Sequence, residues 1–158
     1  MAWLRFSRSK RQIQLFGGST VGALVSALWG TWSAHNDVAA TSDGPWPVGT
    51  YSWSHYKDHV DQPGFGPGCF ATAYGCFGIH VFSVPGRMGM GVHAGRTKYT
   101  TPKGVTGGKT MGCIRVPENA MTMINSVREK LKNDPWMKHG VLKLESVKRW
   151  HIFIDVRK

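Results

Sequence analysis

One nucleophile stands out in this chain. Cys113 lies in Thr110-Met111-Gly112-Cys113-Ile114-Arg115, behind a glycine and ahead of an apolar residue and an arginine. Twenty positions upstream, His93 sits in its own glycine-flanked turn, Gly91-Val92-His93-Ala94-Gly95-Arg96. A thiol needs a base to act as a nucleophile near neutral pH, and imidazole has a pKa suited to that task. The flanking glycines allow close approach of the backbone to a substrate. The chemistry these residues suggest is acyl transfer through a Cys/His pair.

Other reactive side chains support weaker readings. His55 and His59 are spaced to share a helix face and, with His93 or Cys113, to hold a zinc ion. No glutamate lies between them as in zinc proteases, so a solvated polar loop is the better reading and no metal site is assigned. Cys69 and Cys76 bracket Phe70-Ala71-Thr72-Ala73-Tyr74-Gly75. In an exported protein they would form a bridge and leave Cys113 as the one thiol; two buried reduced thiols are the alternative. His80, inside an apolar run, reads as a hydrogen-bonded structural residue.

The elements that must carry these groups are mainly strands, with one or two helices. Pro47-Val48-Gly49-Thr50-Tyr51-Ser52-Trp53 reads as a turn feeding a strand. Residues 77–84 (FGIHVFSV) read as a core strand, Pro85-Gly86-Arg87 as a turn, and 88–93 as the strand that ends on His93. Residues 97–109 form a polar, glycine-rich, basic loop of a length that in compact domains is usually functional. Pro117 and Glu118 open a helix, and Asn133-Asp134-Pro135 stops it. Ala120, Met121, Ile124, Val127 and Leu131 share its apolar face, and Met123 is assigned to the core with them. Residues 141–144 and 150–156 read as closing strands.

Composition sets the outer bounds. With 158 residues there is room for one cored domain and a short extension. The formal charge of +11 suits an anionic partner. No nucleic-acid-reading motif accompanies it, so nucleic acid is not assigned as a partner. Arg5, Arg8, Lys10 and Arg11 precede an uncharged run over 13–32, and Val38-Ala39-Ala40 resembles a cleavage site. Residues 1–40 therefore read as a signal peptide, or as an inner-membrane anchor through 13–32, with Thr41 to Pro45 as a linker and 41–158 as the catalytic domain.

Taken together, the two motifs resemble the catalytic signature of the L,D-transpeptidase (YkuD-like) family. Its pattern is a histidine followed, at this kind of distance, by Ser/Thr-x-Gly-Cys, commonly continuing into an apolar residue and Arg. Here 16 residues separate His93 from Thr110. Pro47-Val48-Gly49-Thr50-Tyr51 is similar to the family's Pro-x-Gly-x-(aromatic) strand, so the likeness runs from about Pro45 to Asn125. Departures are Thr for the commoner Ser at 110, Met for a common His at 111, Ala for a frequent Gly at 94, and an atypical tail after Asn133.

The resemblance implies a YkuD-like β-sandwich or mixed-sheet fold with the cysteine loop beside a helix. It implies a thiol acyltransferase acting on peptidoglycan stem tetrapeptides, by transpeptidation or, with water as acceptor, as an L,D-carboxypeptidase. Cys113 would be the nucleophile, His93 the base and the Ala94 carbonyl its orienting group. Gly112 and Cys113, with Met111, would supply oxyanion N–H groups. Thr110, Met111, Arg96 and Arg115 would line the substrate site, with Arg115 either gripping a stem carboxylate or bracing the loop. No cofactor is needed, and an exported, periplasmic monomer is expected. A non-catalytic wall-binding module and a wall-targeting toxin of the same fold are the alternatives.

Overall fold

The computed structural model describes residues 2–17, 27–58, 69, 72–95, 109–133 and 152–158. The basic loop over 97–108, the expected strand over 141–144, His59 and Arg96 lie outside the described residues. Eight strands form one mixed sheet: β1 (Ala2–Ser7), β2 (Gln12–Gly17), β3 (Ala27–Ser33), β4 (Gly49–Lys57), β5 (Ile79–Phe82), β6 (Gly91–His93), β7 (Ile114–Arg115) and β8 (Ile152–Arg157). Their order across the sheet is β3-β2-β1-β8-β4-β5-β6-β7. The described residues contain one helix, α1 (Glu118–Asn133).

The N-terminal third corrects the sequence-based expectation. Residues 2–17 and 27–33 are not a segment apart from the domain but three strands of its sheet. β1 and β2 alternate buried and half-buried residues along their whole length, the period-2 signature of a strand with one face on a core. β1 pairs antiparallel with β2 and parallel with β8, 150 residues on, with Leu4 opposite Ile154. Leu4, Phe6, Ile13 and Leu15 are buried in the same cluster as Met121, Ile124 and Val127 of α1. Each such side chain contributes ~1.5–3 kcal/mol by leaving water. Among the described residues no helix is long and apolar enough to cross a membrane.

The cations expected as a leader's basic region hold the fold together instead. Arg5 lies over the rings of Trp3 and Phe16, which stack at 4.3 Å, and sits 3.6 Å from Asp155. Arg8 donates to Trp46 O, and Arg11 makes a two-pronged bond to Asp37 at 2.8 and 3.2 Å. Arg11 closes the β1–β2 turn with a left-handed φ of 48°.

β4 joins the two halves of the sheet. Its first residues pair with β8, and its later ones pair with β5 past a bulge between Trp53 and His55. His55 therefore sits on a strand, exposed, rather than in the loop expected there. β5 buries both faces, with Ile79, Val81 and Phe82 in the interior as anticipated. The strand expected over 88–93 shortens to Gly91–His93, because Val84 to Arg87 forms a tight turn that returns the chain late. α1 begins where Pro117 and Glu118 predict and buries Ala120, Met121, Ile124 and Val127. Met123 is 39% exposed, off that face, and is not core.

Candidate active site

β6 and β7 run parallel, with Val92 opposite Ile114 and His93 opposite Arg115. Side chains alternate along a strand. Val92 and Ile114 therefore point into the core on one side, and His93 and Arg115 share the other. Cys113 immediately precedes β7, and its Sγ lies 3.5 Å from Gly89 O, two residues ahead of β6. The Tyr74 ring centroid is 5.0 Å from that of His93, and burial, then the charge of Cys113, raises its hydroxyl pKa.

The imidazole is oriented from behind. Its Nδ1 lies 2.7 Å from Ala94 O, a buried contact. A carbonyl only accepts, so Nδ1 carries the proton and the lone pair of the neutral ring lies on Nε2. Arg115, 2% exposed, donates to Gly95 O at 3.3 Å and so braces the turn that follows His93. Gly95 has a φ of 96°, and a Cβ there would run into Thr72 O and Gly75 N, so the position requires glycine.

The loop over 72–75 is held on both sides. Cys69 and Cys76 are joined by a disulfide, with Cα atoms 4.7 Å apart, which leaves Cys113 as the one thiol of the chain. Both carboxylate oxygens of Glu118, in the first turn of α1, accept from Cys76 N–H at 3.2 and 3.3 Å. Thr72 Oγ1 lies 2.7 Å from Cys69 O and 3.2 Å from Gly75 O.

The nucleophile loop is a tight turn. Thr110 Oγ1 donates to Cys113 O at 2.8 Å and accepts from Gly112 N–H at 3.2 Å. Gly112 N–H, expected as an oxyanion donor, is therefore spent inside the turn. The reason is local: a hydroxyl two residues upstream competes for it. Gly112 has a φ of 132°, and a Cβ there would meet the Arg87 guanidinium. Met111 and Met88 are exposed, at 61% and 98%.

Cys113 is partly exposed, yet burial by its surroundings pushes its thiol up from the ordinary range. A hydrogen bond from Gly91 N–H and the charges of Arg115 and Arg87 pull the other way without prevailing. The thiol rests 3.5 Å from Gly89 O. Burial thus favours the protonated thiol over the thiolate.

Sequence reasoning missed Tyr74, Asn36 and Arg87. Asn36 donates from Nδ2 to Gly112 O at 2.7 Å and to Cys113 O at 2.9 Å. Arg87 donates to Gly44 O at 2.6 Å and Pro45 O at 2.8 Å, fastening residues 44–45 beside the thiol loop. The one available signal was the position of Tyr74 between two bridgeable cysteines. Among the described residues no three His, Cys, Asp or Glu side chains gather as a metal site.

No family profile matches the sequence, and no curated protein matches it in sequence. Solved structures do match the fold. Pgp2, the helical cell shape determining protein of Campylobacter jejuni, superposes with a TM-score of 0.61 at 12% identity, over 99% of this chain and 48% of its own. Bd1075 of Bdellovibrio bacteriovorus superposes with a TM-score of 0.57 at 13% identity, over 79% of this chain and 43% of its own. The fold is YkuD-like, a curled mixed sheet with, among the described residues, one helix, as the resemblance implied. The chain spans less than half the length of either structure.

Proposed function

We propose that this chain is a peptidoglycan-directed thiol acyltransferase of L,D-transpeptidase type. The observation that carries the reading is the pairing of the strand that ends on His93 with the strand that directly follows Cys113, with Nδ1 of the imidazole against Ala94 O. The fold it shares with a cell shape determining protein supports a wall substrate.

His93 Nε2 takes the thiol proton as Cys113 Sγ attacks the carbonyl joining the L-centre of a stem diamino acid to a terminal D-Ala. The raised thiol pKa favours this general-base route over a resting ion pair. Charge on the carbonyl oxygen is met by the N–H of Cys113. The carbon–nitrogen bond then breaks, and the D-Ala amine leaves with the proton from His93. An amine or water, deprotonated by His93, releases the acyl group and restores the thiol. Met111, exposed on the thiol loop, flanks the substrate. The Cys69–Cys76 bridge fits the oxidising envelope where such a substrate lies.

The test is intact-mass spectrometry after incubation with a carbapenem, which the resemblance implies the family binds covalently. A single adduct on the wild type that is absent from Cys113→Ala is expected. An adduct that persists in Cys113→Ala, or none on a folded wild type, removes the proposal.

A further inference from the structure

We propose that Asn36 is the positioning residue that aims the oxyanion-binding N–H of the thiol loop, an inference that rests on the acyl-transfer reading above. A trans peptide unit carries its C=O and N–H on opposite sides. Asn36 Nδ2 holds Gly112 O at 2.7 Å, so the N–H of that same unit, belonging to Cys113, points away from Asn36. The second Nδ2 proton goes to Cys113 O at 2.9 Å. Ile114, the partner of that second carbonyl, is held in the ladder with β6, so the N–H the clamp aims is that of Cys113.

The clamp is itself immobilised. Asn36 is 6% exposed, and its Oδ1 accepts from Trp46 N–H at 2.7 Å, so one end faces a donor and the other two acceptors. Rotating the amide would set oxygen against two carbonyls and nitrogen against an N–H, which fixes its orientation. Trp46 is fully buried against Tyr51 and Phe82, and Arg8 binds its carbonyl. An external hold is needed because Gly112 sits at a φ of 132°, and its own N–H is already committed to Thr110. Thr110 fastens the turn internally, whereas Asn36 ties the orientation of its peptide planes to the core.

The test separates two reactions of one sulfur. Iodoacetamide alkylates a thiolate by displacing iodide from an sp³ carbon and develops no oxyanion. A carbapenem acylates the same sulfur through a tetrahedral oxyanion. With Cys69 and Cys76 bridged, both reagents report on Cys113. Asn36→Ala is expected to alkylate within about 2-fold of the wild type with the same pH profile. Its maximal acylation rate should fall by roughly 10²–10³ with little change in the half-saturating concentration.

Asn36→Asp keeps the acceptor for Trp46 N–H and the side-chain volume while removing the amide donors; it carries the same test should the alanine variant fail to fold. Unchanged acylation, or acylation and alkylation falling in parallel, overturns the proposal. A wild type that alkylates normally but is acylated by neither a carbapenem nor p-nitrophenyl acetate removes the acyl-transfer reading and this proposal with it. Wild-type acylation that survives in the variants removes this proposal alone.

Discussion

Two buried histidines stand on neighbouring antiparallel strands, His80 on β5 and His93 on β6, and they are held in opposite ways. His80 spends both ring nitrogens on side chains: Nδ1 accepts from Trp53 Nε1 at 3.2 Å, and Nε2 donates to Asn125 Oδ1 at 2.6 Å. His93 gives its Nδ1 proton to a backbone carbonyl, which leaves Nε2 as the basic atom. Burial is common to both and does not distinguish them. What distinguishes them is the partner of Nδ1: a side-chain N–H donates to it in His80, and it donates to a backbone carbonyl in His93, the arrangement the proposed base requires.

Exchanging the two histidines for glutamine gives the sharpest contrast. His93→Gln should lower acyl transfer by roughly 10²–10⁴ while leaving the melting temperature near that of the wild type. His80→Gln should keep the rate within a few-fold and lose about 1–3 kcal/mol of stability, because the two-sided bond geometry is broken. Chemical denaturation alongside rate measurement reads both. Equal rate losses at the two positions would erase the distinction.

Next in size is the N-terminal hairpin. Leu4→Ala, in the interior shared with α1, should cost about 2–5 kcal/mol in urea unfolding. A loss near zero would mean that β1 is not part of the cored domain.

The pH dependence of stability separates the histidines again. Burial, the largest influence, brings His80 down to about 4, against 6.5 for the ordinary group; the Asn125 bond opposes this and Arg128 adds to it. Between those values the unfolded chain holds the extra proton. The contribution of His80 is therefore full above pH 6.5, declines as pH falls toward 4, and totals about 3 kcal/mol. His80→Gln should flatten that part of the profile, measured as unfolding free energy from pH 7 to pH 4.

The smallest expected effect lies at the loop over Tyr74. Cys76→Ser opens the Cys69–Cys76 bridge and should cost about 2 kcal/mol, together with a several-fold loss of rate as Tyr74 loosens from His93. A stability loss with no change in rate would detach Tyr74 from the site.

The local features were legible from residue types: the strand that ends on His93 and the start of α1 are set by spacing and a capping pattern, and the bond from His93 to the Ala94 carbonyl is the one the family resemblance implies. The N-terminal strands were not legible, for a physical reason. A basic cluster before an uncharged run matches a leader unless the partners of the cations are known. Those partners, Asp37, Trp46 O and Asp155, lie 26 to 150 residues away. The same distance hid Asn36: its role depends on a strap that crosses behind the thiol loop, and no local pattern encodes that crossing. Gly112 was misassigned because its N–H looked available until Thr110 Oγ1 was seen to take it.

The most direct measurement is turnover of purified disaccharide-tetrapeptide by the wild type and by Cys113→Ala, followed by mass spectrometry of the products and of the protein. A cysteine acyltransferase would release D-Ala, give cross-linked dimer or tripeptide, and show a transient acyl adduct at Cys113, all lost in the variant. Product formation that survives Cys113→Ala would contradict it.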